Sequence, residues 1–335
     1  MPYMYKLKIK DAKMNILFAA PENAWGGFLG LIRSELPEHS FEATGRFSAD
    51  NLKGYDVLIP TMCSVTEKMI TASDRLRLIQ QCGSGLEGVD VETAINNDIW
   101  VANVPTANSG NADSVAEIGI YMMIGLSRNF KDMAQSMLAG KMGEPQGKSL
   151  CGKTAGLVGL GGIGQALIKR LKAFGVHVIG IKRNNPHQAQ KDLGLEWAGG
   201  PDDLDQLAIR SDFVILCLPL TQESRNIINR TTFANMKPDS FLINLSRGGL
   251  VDRGALEEAL ASGRIGGAGL DVFWEEPPDP DDPIFNFNVL ATPHISGSTD
   301  VSMQGIVKGV AENIRRIAKG LEPLNNKNNP NEHKH

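Results

Sequence analysis

Three ionisable side chains in the second half of this 335-residue chain are of types that suit one kind of chemistry. Each follows an apolar stretch: Arg247 after residues 241–244, Glu276 after residues 267–272 and His294 after residues 289–291. Arginine binds a carboxylate through a planar fork of two N–H groups, and histidine donates or accepts a proton near neutral pH. A neighbouring carboxylate orients the ring and stabilises its charged form. The set suits hydride transfer to a 2-oxo acid, with Arg247 binding the acid and His294 supplying the proton.

Each of these residues has an ordinary structural alternative. A lone histidine is more often structural than catalytic, Arg247 can be a surface charge, and Glu276 can be a solvated acid beside Glu275. Ligands of open α/β sheets, however, bind at the carboxyl ends of the strands. Three ionisable residues that follow three strands of one sheet therefore predict an active site at that edge.

The elements that would position a reactant begin with residues 154–183, which hold the motif G-x-G-x-x-G. An apolar run precedes the motif, and an amphipathic stretch and a second apolar run follow it, which is the strand–turn–helix–strand context of a dinucleotide-binding turn. The first glycine permits the tight turn, the second lets a pyrophosphate approach, the third lets helix and strand pack closely, and the helix N-terminus offers N–H groups to the phosphates. The predicted contacts are Gly159, Gly161, Gly162, Ile163 and Gly164.

Lys182, Arg183 and Asn184 follow the second strand of this unit, where an acid usually binds the ribose 2′-hydroxyl. A carboxylate there repels a 2′-phosphate, whereas lysine and arginine attract one. Each charge-assisted hydrogen bond is worth about 1.5–3 kcal/mol, so two shift the preference by roughly a hundredfold or more. We predict that NADP(H) is preferred and NAD(H) possible; the alternative is a solvated basic strand end.

Composition excludes several classes of partner. The net charge of −4 provides no basic field for nucleic acid, and no run of about 18 apolar residues predicts a membrane span. The four cysteines are scattered without a C-x-x-C pair, which argues against a metal site and a disulfide framework. Charges interrupt the first 15 residues, so we expect no secretory leader and a cytoplasmic location. The Asn-rich residues 325–335, with His333 and His335, are predicted to be disordered.

Strand and helix patterns alternate along the chain and predict an α/β fold of two Rossmann- or flavodoxin-like domains with parallel sheets. Residues 1–110 and 299–335 form a discontinuous substrate domain, and residues 111–298 form the dinucleotide-binding domain. Within the first, strands are predicted at 15–19, 56–59, 76–80 and 100–102, and helices at 25–36, 65–73 and 87–96. One helix over 111–138 is apolar on most faces, which favours burial between domains or in a homodimer.

From about residue 15 to residue 319, the chain resembles the D-isomer-specific 2-hydroxyacid dehydrogenases. The supporting segments are CGSGLEGVD, VAE, GLVGLGGIGQ, LPLTQES, INLSRGGLVD, LDVFWEEP and TPHISGS. The resemblance implies that Arg247 orients the substrate, that His294 is the acid/base and that Glu276 is its partner. It also implies that backbone N–H groups at Ser84 and Gly85 bind the substrate carboxylate. The further cofactor contacts that we predict are Leu218, Pro219, Leu245, Ser246, Asp271 and Gly297.

The chain departs from this family in several places. Cys217 stands where many members have histidine, Lys182 replaces the usual acid, and the segment before the long helix is a few residues longer. Only a short polar tail follows residue 319, so we expect no regulatory domain of the kind some phosphoglycerate dehydrogenases carry. Met62, Cys63 and Trp274 either line the substrate pocket or belong to the core.

The predicted function is NADP(H)-favouring hydride transfer between the nicotinamide and C2 of a small 2-oxo or D-2-hydroxy acid, of the glyoxylate or hydroxypyruvate kind. One alternative is a corepressor-like binding protein that senses NAD(P) without catalysis. The other is a dehydrogenase of the formate or phosphite type.

Overall fold

The computed structural model describes residues 13–328 of the chain. The chain divides into two compact units, one formed by Met1–Asn111 with Asp300–His335 and the other by Ala112–Thr299. The sheet of each unit pairs its strands in parallel, which confirms the predicted α/β class. Parallel strands need crossover connections, and the helices supply them.

The first unit contains a five-stranded sheet in the order β2-β1-β3-β4-β5. Its strands are β1 (Asn15–Phe18), β2 (Ser40–Ala43), β3 (Val57–Ile59), β4 (Leu78–Gln80) and β5 (Trp100–Ala102). Its helices up to that point are α1 (Ala24–Glu35), α2 (Glu67–Thr71) and α3 (Val91–Asn96). The sequence did not predict β2, because this edge strand has no fully buried residue and therefore no apolar run.

The second unit contains a seven-stranded sheet in the order β12-β11-β10-β9-β6-β7-β8. Its strands are β6 (Thr154–Val158), β7 (His177–Ile181), β8 (Trp197–Gly199), β9 (Phe213–Leu216), β10 (Phe241–Asn244), β11 (Gly267–Leu270) and β12 (Val289–Ala291). Its helices are α4 (Asn111–Ser127), α5 (Phe130–Leu138), α6 (Gly162–Ala173), α7 (Pro186–Leu193), α8 (Leu204–Arg210), α9 (Arg230–Asn235) and α10 (Arg253–Ala261). The chain then returns to the first unit through α11 (Asp300–Ala318).

Both faces of each sheet are covered by apolar side chains. In β1, Ile16 and Phe18 face one buried cluster, while Leu17 and the following Ala19 face another. Side chains that alternate across a strand reach both faces, so a strand covered on both sides is apolar throughout. This burial explains why short apolar runs located most of the strands in the sequence.

The single helix predicted over residues 111–138 is wrong, because the helix ends at Ser127 and a second one begins at Phe130. Asn129 between them has a left-handed backbone with φ of 54°, a conformation that asparagine tolerates better than most residues. The prediction of burial holds for α4 but not for α5, which has no buried residue.

Two further predictions need correction. The helix predicted over 87–96 begins only at Val91, because the Asp90 side chain caps it by accepting from the Thr93 N–H at 3.0 Å. The predicted disorder of residues 325–335 is wrong for residues 325–328: Asn326 bridges to Ala102 at the sheet edge, and Asn328 bonds the backbone of β5. His333 and His335 lie outside the described residues.

None of the helices within residues 13–328 is long and apolar enough to cross a membrane. The cytoplasmic location remains a prediction.

Candidate active site

The glycine turn after β6 has a geometry that only glycine fits at two of its positions. Gly159 has a φ of 105°, and a Cβ there would lie 2.6 Å from the carbonyl oxygen of Cys217. A Cβ on Gly164 would lie 2.4 Å from the carbonyl oxygen of Gly159. Both distances are far shorter than van der Waals contact, so side chains at these positions would force the turn open.

The same turn leaves room for a phosphate. A Cβ on Gly161 would have no atom within 4 Å, and α6 begins at Gly162 without a capping side chain. The first N–H groups of a helix have no partner within the helix, and they carry the positive end of its dipole. The backbone from Gly161 to Ile163 therefore fits the pyrophosphate of a dinucleotide.

The strand order of the sheet changes direction between β6 and β9, which is where α/β sheets bind ligands. Leu218 and Pro219, predicted on the adenosine side, follow β9 and lie half-buried and exposed, respectively. Cys217 is buried, and its burial raises the pKa of its thiol. Its neutral side chain packs beside the turn, where many of the dehydrogenases that the chain resembles have histidine.

Lys182, Arg183 and Asn184 follow β7, next to β6 in the sheet. The Lys182 N–H donates to the Gly199 carbonyl at 3.0 Å, which extends the pairing of β7 with β8 by one residue. Arg183 and Asn184 are exposed, and no acid of the described residues forms a salt bridge with Lys182 or Arg183. A basic strand end is therefore present where an acid usually stands.

The three predicted catalytic residues follow β10, β11 and β12, which are neighbours in the sheet. The register aligns Asn244 with Leu270 and Leu270 with Ala291. The strands therefore end level with one another, and the loops that follow them meet at one edge.

The turn that carries Arg247 is held by a buried asparagine. The Asn244 side chain accepts from the Ser246 N–H at 3.1 Å and donates to the Arg247 carbonyl at 2.8 Å. A Cβ on Gly248 would lie 2.1 Å from the backbone carbonyl of Phe273. Gly248 is therefore required for the Arg247 turn to lie directly against the loop that leads to Glu276.

Glu276 and His294 form a hydrogen-bonded pair. The Oε2 atom of Glu276 lies 2.7 Å from Nδ1 of His294, and Oε1 accepts from the Phe273 N–H at 3.0 Å. Both carboxylate oxygens are therefore engaged, and the glutamate is fixed from two sides. The side chains are 20% and 38% exposed, respectively, so the pair is partly shielded from water.

The electrostatics of the pair keep Glu276 ionised. Burial acts to raise the pKa of Glu276, but the hydrogen bond and charge of His294, the Phe273 N–H and the charge of Arg247 together outweigh it and lower the pKa. An ionised carboxylate only accepts, so Nδ1 of His294 carries the hydrogen. Nε2 is then the ring nitrogen that the predicted acid/base role of His294 requires.

Asp271 holds the loop of His294 rather than facing solvent. Its fully buried carboxylate accepts from the Thr292 hydroxyl at 2.6 Å, the Ile295 N–H at 2.9 Å and the Ser296 N–H at 3.1 Å. His294 between these residues has a φ of 54°, which is uncommon for a residue other than glycine. The contact with a nicotinamide carboxamide that we predicted for Asp271 remains untested.

The remaining residues of this unit that are predicted to contact the cofactor differ in how far they are buried. Leu245 and Ser246 are buried, and the Ser246 hydroxyl donates to the Leu216 carbonyl at 3.0 Å. Gly297 lies half-buried in the loop after His294. Ser246 thus ties the Arg247 turn to the end of β9.

Ser84 and Gly85 belong to the first unit, in the loop that follows β4. Among residues 13–328, no acceptor bonds the backbone N–H groups of Gly83, Ser84 and Gly85. Successive backbone N–H groups are the donors that anion-binding concavities in proteins use. This observation supports the prediction that the loop binds a carboxylate.

Met62, Cys63 and Trp274, which either line the substrate pocket or belong to the core, differ in their burial, and two of them pack against buried side chains. Cys63 is buried in a cluster of the first unit. Trp274 donates its Nε1–H to the Val251 carbonyl at 2.7 Å, and its ring lies 5.7 Å from the Arg253 guanidinium. Met62 is exposed and remains available to a ligand.

Sequence reasoning missed Asn244, Gly248 and Thr292, which position the catalytic candidates. Asn244 could have been recognised in the sequence, since it is a polar residue at the end of an otherwise apolar strand. The close approach at Gly248 depends on a segment 25 residues further along the chain, so no local signal marks it. In the part of the chain that is described, no group of three His, Cys, Asp or Glu side chains could hold a metal ion.

The fold and the glycine turn define an α/β protein that binds a dinucleotide. Residues 120–296 match the family model described as "D-isomer specific 2-hydroxyacid dehydrogenase, NAD binding domain". A hydroxypyruvate reductase of Thermotoga maritima is 38% identical over 265 residues, which cover 77% of this chain and 83% of that protein. The chain therefore belongs to the D-isomer specific 2-hydroxyacid dehydrogenase family, and the cofactor of this family is a nicotinamide dinucleotide.

Two further relatives extend the comparison. A D-3-phosphoglycerate dehydrogenase of Methanocaldococcus jannaschii is 38% identical over 286 residues, but these cover 84% of this chain and only 53% of that protein. The chain thus spans about half the length of that relative. A D-lactate dehydrogenase of Aquifex aeolicus, solved with NAD and lactic acid, superposes with a TM-score of 0.80 at 25% identity, covering 94% of this chain and 99% of that one.

Proposed function

We propose that this protein reduces a small 2-oxo acid to the D-2-hydroxy acid, reversibly and with a preference for NADP(H). The observation that carries the proposal is the Glu276–His294 pair, held at 2.7 Å on the sheet that also bears the glycine turn. Relatives named hydroxypyruvate reductase and glyoxylate reductase support this class of substrate.

The chain's own residues account for binding the cofactor. Gly161 to Ile163 would hold the pyrophosphate, and Lys182 with Arg183 would hold the 2′-phosphate. When bound, the cofactor supplies the hydride that is exchanged with C2 of the acid. The protein's remaining tasks are to bind the carboxylate, polarise the carbonyl and move one proton.

His294 moves the proton. In reduction, Nε2 of the charged ring donates to the oxygen that was the carbonyl oxygen, and in oxidation the neutral ring accepts from the hydroxyl. Glu276 holds Nδ1–H in place and stabilises the charged ring, because its lowered pKa keeps it ionised. Arg247 binds the carboxylate and polarises the carbonyl with N–H groups that cannot be deprotonated.

The substrate side chain is proposed to be small or apolar. The Ser84–Gly85 loop offers backbone N–H groups to one carboxylate, and Met62 after β3 is the exposed apolar candidate for the remainder of the substrate. A phosphorylated acid would need further cations that we do not assign. Glyoxylate, hydroxypyruvate and pyruvate are therefore the substrates that we expect.

A panel of acids tests the reaction class. Oxidation of NADPH is followed with glyoxylate, hydroxypyruvate, pyruvate, bulkier 2-oxo acids and 3-phosphohydroxypyruvate, and reduction of NADP⁺ is followed with formate and phosphite. Turnover of at least one small 2-oxo acid is expected. Turnover of formate or phosphite alone would establish the other dehydrogenase type, and cofactor binding without any turnover would favour the corepressor-like alternative.

The cofactor preference has its own test. Lys182→Asp places a carboxylate at the end of β7 and should reduce the ratio of kcat/KM for NADPH over NADH by roughly tenfold to a hundredfold. Lys191→Asp makes the same charge change at an exposed position on α7 and serves as the control. Equal use of NADH and NADPH by the unaltered protein would refute the preference.

We also propose a homodimer, because α5 and the residues after it expose several large apolar side chains. Met137 and Leu138 are 74% and 84% exposed, and Met142 is also exposed. Contiguous exposed apolar surface marks an interaction site, and a second copy is the usual partner. Light scattering should give twice the chain mass of 36.2 kDa, and Leu138→Glu should lower it to one chain. A monomeric unaltered protein would contradict the proposal.

A further inference from the structure

A pair of buried amide side chains connects the C-terminal segment of the first unit to β4, the strand that leads into the Ser84–Gly85 loop. Gln80, the last residue of β4, is fully buried, and Asn313 of α11 is 1% exposed. Asn313 Nδ2 donates to Gln80 Oε1 at 2.7 Å. Two amides placed where the neighbouring residues of β4 are apolar need an explanation, because burying polar groups costs free energy unless each is bonded.

The bonds of the pair continue in both directions. On one side, Asn313 accepts from the Leu324 N–H at 2.7 Å and donates to the Leu324 carbonyl at 3.1 Å. On the other side, Gln80 Nε2 donates to the Gln81 carbonyl at 2.9 Å. Gln81 is the first residue after β4, where the loop begins, so the pair ties the segment after α11 to the start of that loop.

Two more side-chain amides hold the loop. Gln81 accepts from the Cys82 N–H at 2.9 Å and donates to the Thr61 carbonyl at 2.9 Å. Asn103, buried after β5, donates to the Ser84 carbonyl at 2.8 Å. These contacts occupy backbone groups on either side of Gly83, while the N–H groups of Gly83, Ser84 and Gly85 have no acceptor among residues 13–328.

We propose that Gln80 and Asn313 are positioning residues: they fix the loop so that its N–H groups converge on the carboxylate of the substrate. This inference rests on the proposed function of the Ser84–Gly85 loop. Apolar side chains of similar size would fill the same volume, so packing alone does not require the amides. Their bonds to the backbone of Leu324 and Gln81 are what an apolar pair would lose. A satisfied buried network instead specifies one arrangement of the groups that it bonds.

The test separates a role in positioning the Ser84–Gly85 loop from a role in the stability of the fold. Gln80→Met and Asn313→Leu, singly and together, remove the amide bonds, and the double variant replaces both partners with apolar groups. The KM for the 2-oxo acid should rise about tenfold in all three variants, since small misplacements of a binding group are costly. The KM for NADPH should not change. The double variant should melt no lower than the single variants, because neither amide is left facing an apolar partner, while its KM for the acid should stay raised.

Asn328→Ala is the matched control. Asn328 bonds the Val101 N–H and the Ile99 carbonyl at 2.9 Å each and so holds the same C-terminal segment, but it does not contact Gln80. This variant should lose melting temperature without a change in KM. If KM instead follows melting temperature in all four variants, the amides are merely structural and the proposal is overturned.

Amide hydrogen exchange provides a readout that does not depend on activity. The N–H groups of Gln81 and Cys82, which donate to the Ala102 carbonyl and to the Gln81 side chain, should exchange faster in Gln80→Met than in the unaltered protein, while peptides of β6 should not change. Unchanged exchange at Gln81 and Cys82 would overturn the positioning role. Absence of turnover by the unaltered protein would instead refute the proposed function and leave the exchange result to decide the positioning role.

Discussion

The carboxyl ends of β6 and of β10–β12 lie on one sheet but build their sites from different parts of the chain. After β6, the backbone forms the site, and glycines at 159 and 164 are needed because a Cβ would collide with a carbonyl oxygen. After β10–β12, side chains form the proposed catalytic site, and buried polar groups such as Asn244 and Asp271 hold the loops that carry them. The first site depends on the absence of side chains at its glycines, and the second depends on contacts between segments that are distant in the sequence.

This difference has a consequence for how each site fails. A side chain added to the glycine turn should weaken cofactor binding and leave the proton chemistry intact. A change at the strand ends should do the reverse. Variants at the two places therefore test whether binding and catalysis are as separate as the geometry indicates.

The largest effect is expected from His294→Ala. Removal of the general acid should lower kcat by about 10²–10⁴, while the Kd for NADPH, measured by fluorescence titration, should stay within twofold. His187→Ala, at an exposed histidine of α7, is the control. Near-normal turnover by His294→Ala would remove this residue from the mechanism.

Gly159→Ala should have the next largest effect, on cofactor binding. Its φ of 105° and the 2.6 Å approach to the Cys217 carbonyl strain any side chain there. A strain of about 1–3 kcal/mol corresponds to a Kd for NADPH raised roughly tenfold to a hundredfold. Gly254→Ala, where a Cβ would meet only ordinary contact, should bind NADPH normally. An unchanged Kd in Gly159→Ala would show that the turn is not the phosphate site.

Glu276→Gln should change the pH dependence of reduction. Loss of the negative charge destabilises the charged form of His294, so the alkaline limb of the kcat profile should move to lower pH, with kcat at neutral pH reduced about tenfold. Glu275→Gln removes an exposed charge beside it and is the control. A pH profile that does not move would contradict the pairing of Glu276 with His294.

The same carboxylate contributes to stability with a defined sign. The pKa of Glu276 is lowered in the folded protein from its ordinary value of 4.5. Its stabilisation is therefore fully present above pH 4.5 and is lost as the pH falls through the folded-state value. Melting temperatures between pH 3 and 6 should show this loss in the unaltered protein and a smaller one in Glu276→Gln.

Asp271→Asn should have the smallest effect. The amide cannot accept from all three donors that the carboxylate binds, so the free energy of unfolding should fall by about 1–3 kcal/mol and kcat should fall a few-fold. Asp281→Asn, at an exposed position, should change neither quantity. If Asp271→Asn raises only the KM for NADPH, Asp271 contacts the cofactor and does not position the His294 loop.

The sequence indicated the two proposed sites unequally well for physical reasons. The turn after β6 is a local pattern of glycines between apolar runs, so its residues could be predicted together. We could propose Arg247, Glu276 and His294 because each follows a strand, but the distances between their side chains depend on the register of β10–β12. The edge strand β2 and the break at Asn129 were missed, since β2 has no buried residue and the break depends on one backbone conformation.

The most direct test of the central claim follows the hydride itself. The protein is incubated with NADPH dideuterated at C4 of the nicotinamide and with hydroxypyruvate or another prochiral acid that the panel shows to be turned over. Mass spectrometry and chiral chromatography should find the D-2-hydroxy acid with one deuterium at C2. A product without deuterium, or one of the opposite configuration, would contradict the proposed reaction.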